Sequence, residues 1–275
     1  MLYKNASLHN IGELYEIPGS DAVRLQRVPE ATRERLEEPA QRKTLNPGGA
    51  EIRFVINSGR VKITLSSSEE LGTAALFHGT FDARLPTCTF GDEPITLDIG
   101  MPEDENAKRF ASLPDSLADS LRYHPRVCRL VLRHGNIILH NIEGDIRPPE
   151  PEELPGLTMM AYGTSITHGA AASAFHLTYV AQTAWRLGAD LINYGVGGAC
   201  RAEAAFADYL AGLKNWDFAT LALSVNMIGA GFTIEDFTSR TRYLIGKIAV
   251  ENPDKPVACI SIYPYFGDFA NLQPS

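Results

Sequence analysis

Apolar and polar positions follow two different rhythms along this chain. Up to about residue 150 the apolar runs are short and strand-like. "EIRFVIN" (51–57) and "VKITLSS" (61–67) are joined by Ser58-Gly59-Arg60, which predicts a hairpin. "LGTAALFHGTF", "EPITLDIG" and "RVCRLVLRHGNIILHNIEGDI" continue the pattern, the last broken at Gly135-Asn136. Short strands with turn signals and no long helix predict a jelly-roll-like β-sandwich over residues 1–150. The charged stretch "PEATRERLEEPAQRK" (29–43) predicts a loop with a short surface helix. "RPPEPEELPG" (147–156) alternates prolines and acids and predicts an extended, solvated connector.

After the connector the period changes. "LTMMAYG", "ADLINYGV", "FATLALSV" and "PVACISIYP" predict buried strands. "FHLTYVAQTAWRLG", "AEAAFADYLAGL" and "IEDFTSRTRYLIGKIAVEN" predict the helices between them. This β-α-β-α-β-α-β order over residues 151–275 predicts a parallel sheet between two helical layers, a three-layer α/β/α domain of flavodoxin-like type. In such sheets ligands bind beyond the carboxyl ends of the strands. The residues there are Ser165, Gly195 to Gly198, Asn226, and Tyr263 to Tyr265.

Composition narrows the function classes. With 44% hydrophobic and 21% charged residues, the 275-residue chain can bury sizeable cores. Its net charge is −8 and it has no basic block, which argues against a nucleic-acid partner. The start "MLYKNASLHN" has no leader-like apolar core, and no apolar run reaches membrane-span length, so no membrane partner is expected. Cys88, Cys128, Cys200 and Cys259 lie far apart, which predicts free thiols in a cytoplasmic protein. The seven histidines show no metal-ligand spacing, and no metal or cofactor is expected. The oligomeric state is left open.

The strand ends carry groups that fit acyl chemistry. A serine hydroxyl attacks a carbonyl once a base takes its proton. The oxyanion then needs preorganised donors, typically backbone N–H groups and a side-chain amide. "TMMAYGTSITHGAA" lifts Ser165 out of a strand on a turn of small residues. Gly197-Gly198, at the predicted start of a helix, can offer unobstructed N–H groups, and Asn226 supplies an NH₂.

In these blocks the chain resembles the SGNH (GDSL-type) hydrolases. "YGTSITHG" resembles their serine block, with Thr164 where Asp is commonest. "NYGVGGA" resembles the glycine block through Gly198, and "LSVNMIG" the asparagine block through Asn226. The Gly-x-Ser-Ile-Thr wording and "HPRVCRL…GDIRPP" resemble a bacterial subgroup in which a β-sandwich precedes the hydrolase domain. The resemblance implies that Ser165 is the nucleophile, that the Ser165 and Gly198 N–H groups and the Asn226 amide hold the oxyanion, and that an Asp-x-x-His supplies the base. No Asp-x-x-His follows Asn226, and His176 is the last histidine. The expectation is therefore that the domain lacks its last segment here and continues past Ser275.

Other readings compete at each residue. Ser165 would also serve as a helix N-cap. A G-x-S-x-G elbow fails because Thr167 replaces the second glycine. "GVGGAC" imitates a dinucleotide fingerprint, but Cys200 stands where its third glycine belongs. His168, three residues past Ser165, reads as a polar group rimming the pocket rather than as a base. Cys200 reads as a small buried cysteine. Thr164, His168, Tyr263 and Tyr265 are the candidate pocket residues.

These patterns together point to a serine esterase or acylhydrolase that cleaves O-acyl esters of a small molecule or carbohydrate through an acyl-Ser165 intermediate. Acyl transfer to a sugar or other small alcohol is the alternative within enzymes. A non-catalytic binding protein with the same fold is the alternative outside them.

Overall fold

The structure is a computed structural model, and it describes residues 1–82, 87–101, 105–118, 120–223 and 225–263. Two sheets organise it. Among the described residues, eleven antiparallel strands form one curled sheet and four strands form a parallel sheet.

The long strands of the curled sheet are β1 (Glu51–Ser68), β2 (Gly72–His78), β3 (Val127–Leu132) and β4 (Asn136–Arg147). The expected hairpin at Ser58-Gly59-Arg60 is not formed. Residues 51–68 run as one continuous strand, and β4 pairs with both of its halves. Gly59 has φ +68°, and the register shifts between Glu143 and Ile146 opposite it, so the glycine bends the strand instead of reversing it. The first half of β1 also pairs with β3, and its second half with Ile95–Ile99. The sheet curls around this shared strand and encloses Leu8, Ile52, Phe54, Ile63, Leu65 and Leu130. The sandwich expected from the sequence is, by its hydrogen bonding, one curled sheet.

The parallel sheet is built as the periodicity predicts. Its strands are β5 (Leu157–Gly163), β6 (Ala189–Gly195), β7 (Phe218–Ala222) and β8 (Val257–Ile260), in the spatial order β6-β5-β7-β8. Among the described residues, five α-helices lie between or beside them: α1 (Ser165–His168), α2 (Tyr179–Arg186), α3 (Ala204–Gly212), α4 (Val225–Gly229) and α5 (Ile234–Glu251). Side chains alternate across the sheet as a strand requires. Met159 and Ala161 face α2 with Val180 and Ala184, while Met160 and Tyr162 face α3 and α5 with Phe206 and Leu244. Thr178 caps α2, and a Thr233–Asp236 capping box starts α5. No helix among the described residues is long and apolar enough to cross a membrane.

Two predicted surface segments are tied down. The stretch 29–43 forms two short helices, Glu30–Arg33 and Glu38–Lys43, and its Leu36 and Ala40 are buried in the α3 and α5 core. The connector is held by a bidentate Arg147–Glu153 pair at 2.7 Å.

Candidate active site

The strand register puts the candidate residues on one edge. Gly163, the last residue of β5, pairs with Gly195 at the end of β6 and with Ala222 at the end of β7. Ala222 in turn pairs with Ile260 at the end of β8. Adjacent strands lie about 4.8 Å apart. Ser165, Gly198, Asn226 and Tyr263 each follow this row by two to four positions.

Ser165 is the first residue of α1 and is half-buried. Thr164 is its N-cap: it is buried, and its hydroxyl accepts the Ile166 N–H at 3.4 Å. Thr164 thus shapes the turn rather than exposing a side chain to the cleft. The N-cap reading considered for Ser165 belongs to its neighbour.

Gly195 lets α1 sit directly on the end of β6. A Cβ there would lie 2.2 Å from the His168 nitrogen and 2.6 Å from its Cα. Beyond it, residues 197–199 form a turn and not a helix start, since α3 begins only at Ala204. Gly198 has φ +74°, and a Cβ there would meet nothing within 4 Å. Its backbone therefore faces open space in a conformation that favours glycine.

This turn joins the other two groups. A Cβ on Gly197 would sit 3.8 Å from the Ser165 Cβ. At the turn's far end the Cys200 N–H donates to Asn226 Oδ1 at 3.0 Å. That bond fixes the Asn226 amide, and its NH₂ has no protein acceptor among the described residues. Ser165, the 197–200 turn and Asn226 are thus contiguous.

His168 is adjacent but poorly suited to proton transfer. It is 8% exposed, and its Nε2 is buried with no partner among the described residues. Burial first, and the nearby Arg27 guanidinium second, pull its pKa down to about 3. It is neutral near pH 7 and a weak base. No hydrogen bond joins Ser165 Oγ to any histidine among the described residues. Cys200 is fully buried, and burial pushes its thiol up to about 12, as a structural cysteine requires. Tyr263 is half-buried and lies near Tyr179, whose hydroxyl is 2.9 Å from Thr167 Oγ1. Tyr265 lies outside the described residues.

Sequence reasoning missed the support beneath the site. Arg27, from the first half of the chain, donates to the carbonyls of Asn46 and Asn193 at 2.6 Å and of Gly195 at 3.1 Å. It is fully buried with no carboxylate partner among the described residues, and burial lowers its pKa to about 10, which still leaves it charged. Asn193 in turn donates to the Thr167 carbonyl at 3.0 Å and accepts the Gly195 N–H at 2.8 Å. The only signal for Asn193 was its amide inside the run "LINYGV".

The parallel sheet thus carries a serine, a glycine turn and an asparagine at the ends of adjacent strands. Residues 158–273 match the GDSL-like lipase/acylhydrolase family model. Three solved structures share the fold across both halves. A salicylyl-acyltransferase, SsfX3, from a tetracycline biosynthetic pathway aligns with a TM-score of 0.69 at 14% identity, over 92% of this chain and 69% of that one. A putative GDSL-like lipase from Bacteroides ovatus aligns with a TM-score of 0.59 at 17% identity, over 93% and 71%. A family two carbohydrate esterase from Cellvibrio japonicus aligns with a TM-score of 0.56 at 12% identity, over 98% and 80%. No curated protein sequence matches the chain.

Proposed function

We propose that the chain cleaves O-acyl esters of a small molecule or carbohydrate through an acyl-Ser165 intermediate. The Ser165 oxygen attacks the acyl carbonyl and its proton passes to a general base. The tetrahedral oxyanion is held by the Ser165 and Gly198 N–H groups and the Asn226 amide. Its collapse expels the alcohol with a proton, and water then releases the acid and restores Ser165. The observation that carries this reading is the 197–200 turn, seated against Ser165 on one side and hydrogen-bonded to Asn226 on the other. The base is a histidine that the family resemblance assigns to an Asp-x-x-His block, for which residues 1–275 contain no match. His168 is unsuited to the role, with its pKa near 3.

Transfer to an alcohol instead of water would use the same intermediate. One structural neighbour bears an acyltransferase name, so this stays the second reading. Four free cysteines among the described residues support a reducing, cytoplasmic setting, and the change of texture near residue 150 supports two units.

The test measures p-nitrophenyl acetate turnover by the 275-residue chain with imidazole supplied as the base. Imidazole-supported turnover above background is expected, and Ser165→Ala should abolish it. Asn226→Ala should lower the rate constant by roughly 10²–10³, which on so slow a reaction reads as a fall to the Ser165→Ala level. Asn226→Asp, which keeps an acceptor for Cys200 but loses the donor, should fall as far. If turnover is unchanged in Ser165→Ala, the acyl-serine assignment is wrong. Absence of turnover under every condition favours a binding protein.

A further inference from the structure

A second site lies between the flank of the parallel sheet and the curled sheet. Here a cavity of about 350 Å³ is walled by Phe77 and Val131 from one side and by Phe175, Leu177, Ala181 and Trp185 from the other. Neither Ser165, Gly198 nor Asn226 lines it. Its contact on β6 is Leu191, four residues before Gly195, so it lies about 13 Å down the strand from the row of strand ends.

The floor of this cavity is charged, and among the described residues the charges do not cancel. Glu51 is bound by Arg53 and Arg129, and Asp190 by Arg53. These are two acids and two bases, all buried. Arg122 is a fifth charge. Its Nε donates to the Ala189 carbonyl at 2.8 Å and its guanidinium lies 4.9 Å from the Tyr123 ring centre. Its terminal nitrogens have no acceptor among the described residues. Thr80 Oγ1, also in the lining, is buried without a partner. A half-buried guanidinium facing an aromatic-walled space lacks the anion that would complete it.

We propose that this cavity binds a small aromatic monocarboxylate, with the carboxylate on Arg122 and the ring among Phe77, Phe175 and Trp185. One unbalanced cation fits one negative charge, because a dianion would place its second charge beside Glu51. The volume takes one or two fused rings and falls within the range of ordinary ligand pockets. The site is independent of the Ser165 chemistry.

Trp185 reports on occupancy, because the chain's other tryptophan, Trp216, is buried in the opposite core. The experiment titrates the whole chain with 2-naphthoate and, separately, with neutral 2-naphthamide, following tryptophan emission and binding heat. Saturable 2-naphthoate binding is expected, at least tenfold tighter than 2-naphthamide. Arg122→Met should erase that preference, and Ala181→Phe, which fills the cavity, should remove both. The wild-type comparison alone decides the charge claim, even if a variant folds poorly. Equal affinity for the two probes, no saturable binding, or undiminished binding to a folded Ala181→Phe protein would overturn the proposal.

Discussion

His168 shows how position in sequence and position in chemistry separate. Three residues from Ser165, it is the nearest histidine along the chain, and α1 keeps it next to the Gly197 turn. Burial nevertheless holds it neutral. The folded pKa of about 3 lies below the unfolded value of about 6.5. A group depressed in this way favours the fold fully above about pH 6.5 and loses that contribution as pH falls toward 3. The His168 imidazole should therefore show no NMR titration between pH 5 and 8. His168→Gln, which cannot be protonated, should narrow its stability gap to wild type as pH falls from 7 to 4. A His168 resonance titrating near pH 6.5 would show that the ring is solvated and would reopen its candidacy as the base. The placement of Ser165 and Asn226 on one sheet edge is legible because each follows a predicted strand. Thr164 was misread as a pocket residue because an N-cap and a rim residue have the same sequence signature.

At the scale of elements, the parallel sheet was readable and the curled sheet only in part. The α/β half announces itself because period 2 and period 3.6 alternate, and each change of period marks a boundary. The stretch "INSGRVK" carries no such distinction, since a bent strand and a hairpin both need a glycine between apolar runs. What decides between them is the partner, β4, whose residues lie about 80 positions further on. The packing of α1 on β6 gives a sharper test. Gly195 has ordinary backbone angles, so its role is purely one of space. An added methyl would meet backbone atoms of His168 at 2.2 and 2.6 Å, and backbone cannot rotate away. Gly195→Ala should therefore lift α1 and displace Ser165. Thermal unfolding should show a loss of about 1–3 kcal/mol, in the range of overpacked cores. Gly212→Ala, where an added methyl meets nothing within 4 Å, is the control and should leave stability nearly unchanged. Equal stability of the Gly195→Ala protein would mean that the sheet edge gives way more easily than its packing indicates.

Across the whole molecule, the two halves are joined by buried polar groups that no local pattern reveals. Arg27 reaches 166 residues along the chain to Asn193, and Arg53 reaches 137 to Asp190. Asp190 accepts from Arg53 at 2.6 and 2.8 Å, from the Tyr123 hydroxyl at 2.6 Å, and from its own strand at Leu191. His9, kept neutral by burial, donates from Nε2 to the Leu191 carbonyl at 2.7 Å. Each of these residues reads in sequence as an ordinary polar side chain, because what makes it unusual is the company it keeps in the fold. Removing one member leaves a buried charge without its partner, which typically costs about 3–5 kcal/mol. Asp190→Asn should cost that much, because it keeps the shape but leaves Arg53 to share Glu51 with Arg129. Its pH dependence follows from the sign of the shifts. Asp190 is held well below its ordinary value by Arg53, against the opposing effect of burial, and Glu51 is lowered to about 2 by Arg129 and Arg53. Groups depressed in this way stabilise the fold above their unfolded pKa, near 4, and lose that contribution as pH falls through the folded value. The Tm gap between wild type and Asp190→Asn should then be widest above pH 4 and narrow as pH falls below it, where the unfolded wild-type carboxyl takes up a proton that the folded one resists. A gap that stays constant from pH 7 to 2 would mean that the asparagine disrupts packing alone, and that the charge of Asp190 does not hold the two halves together.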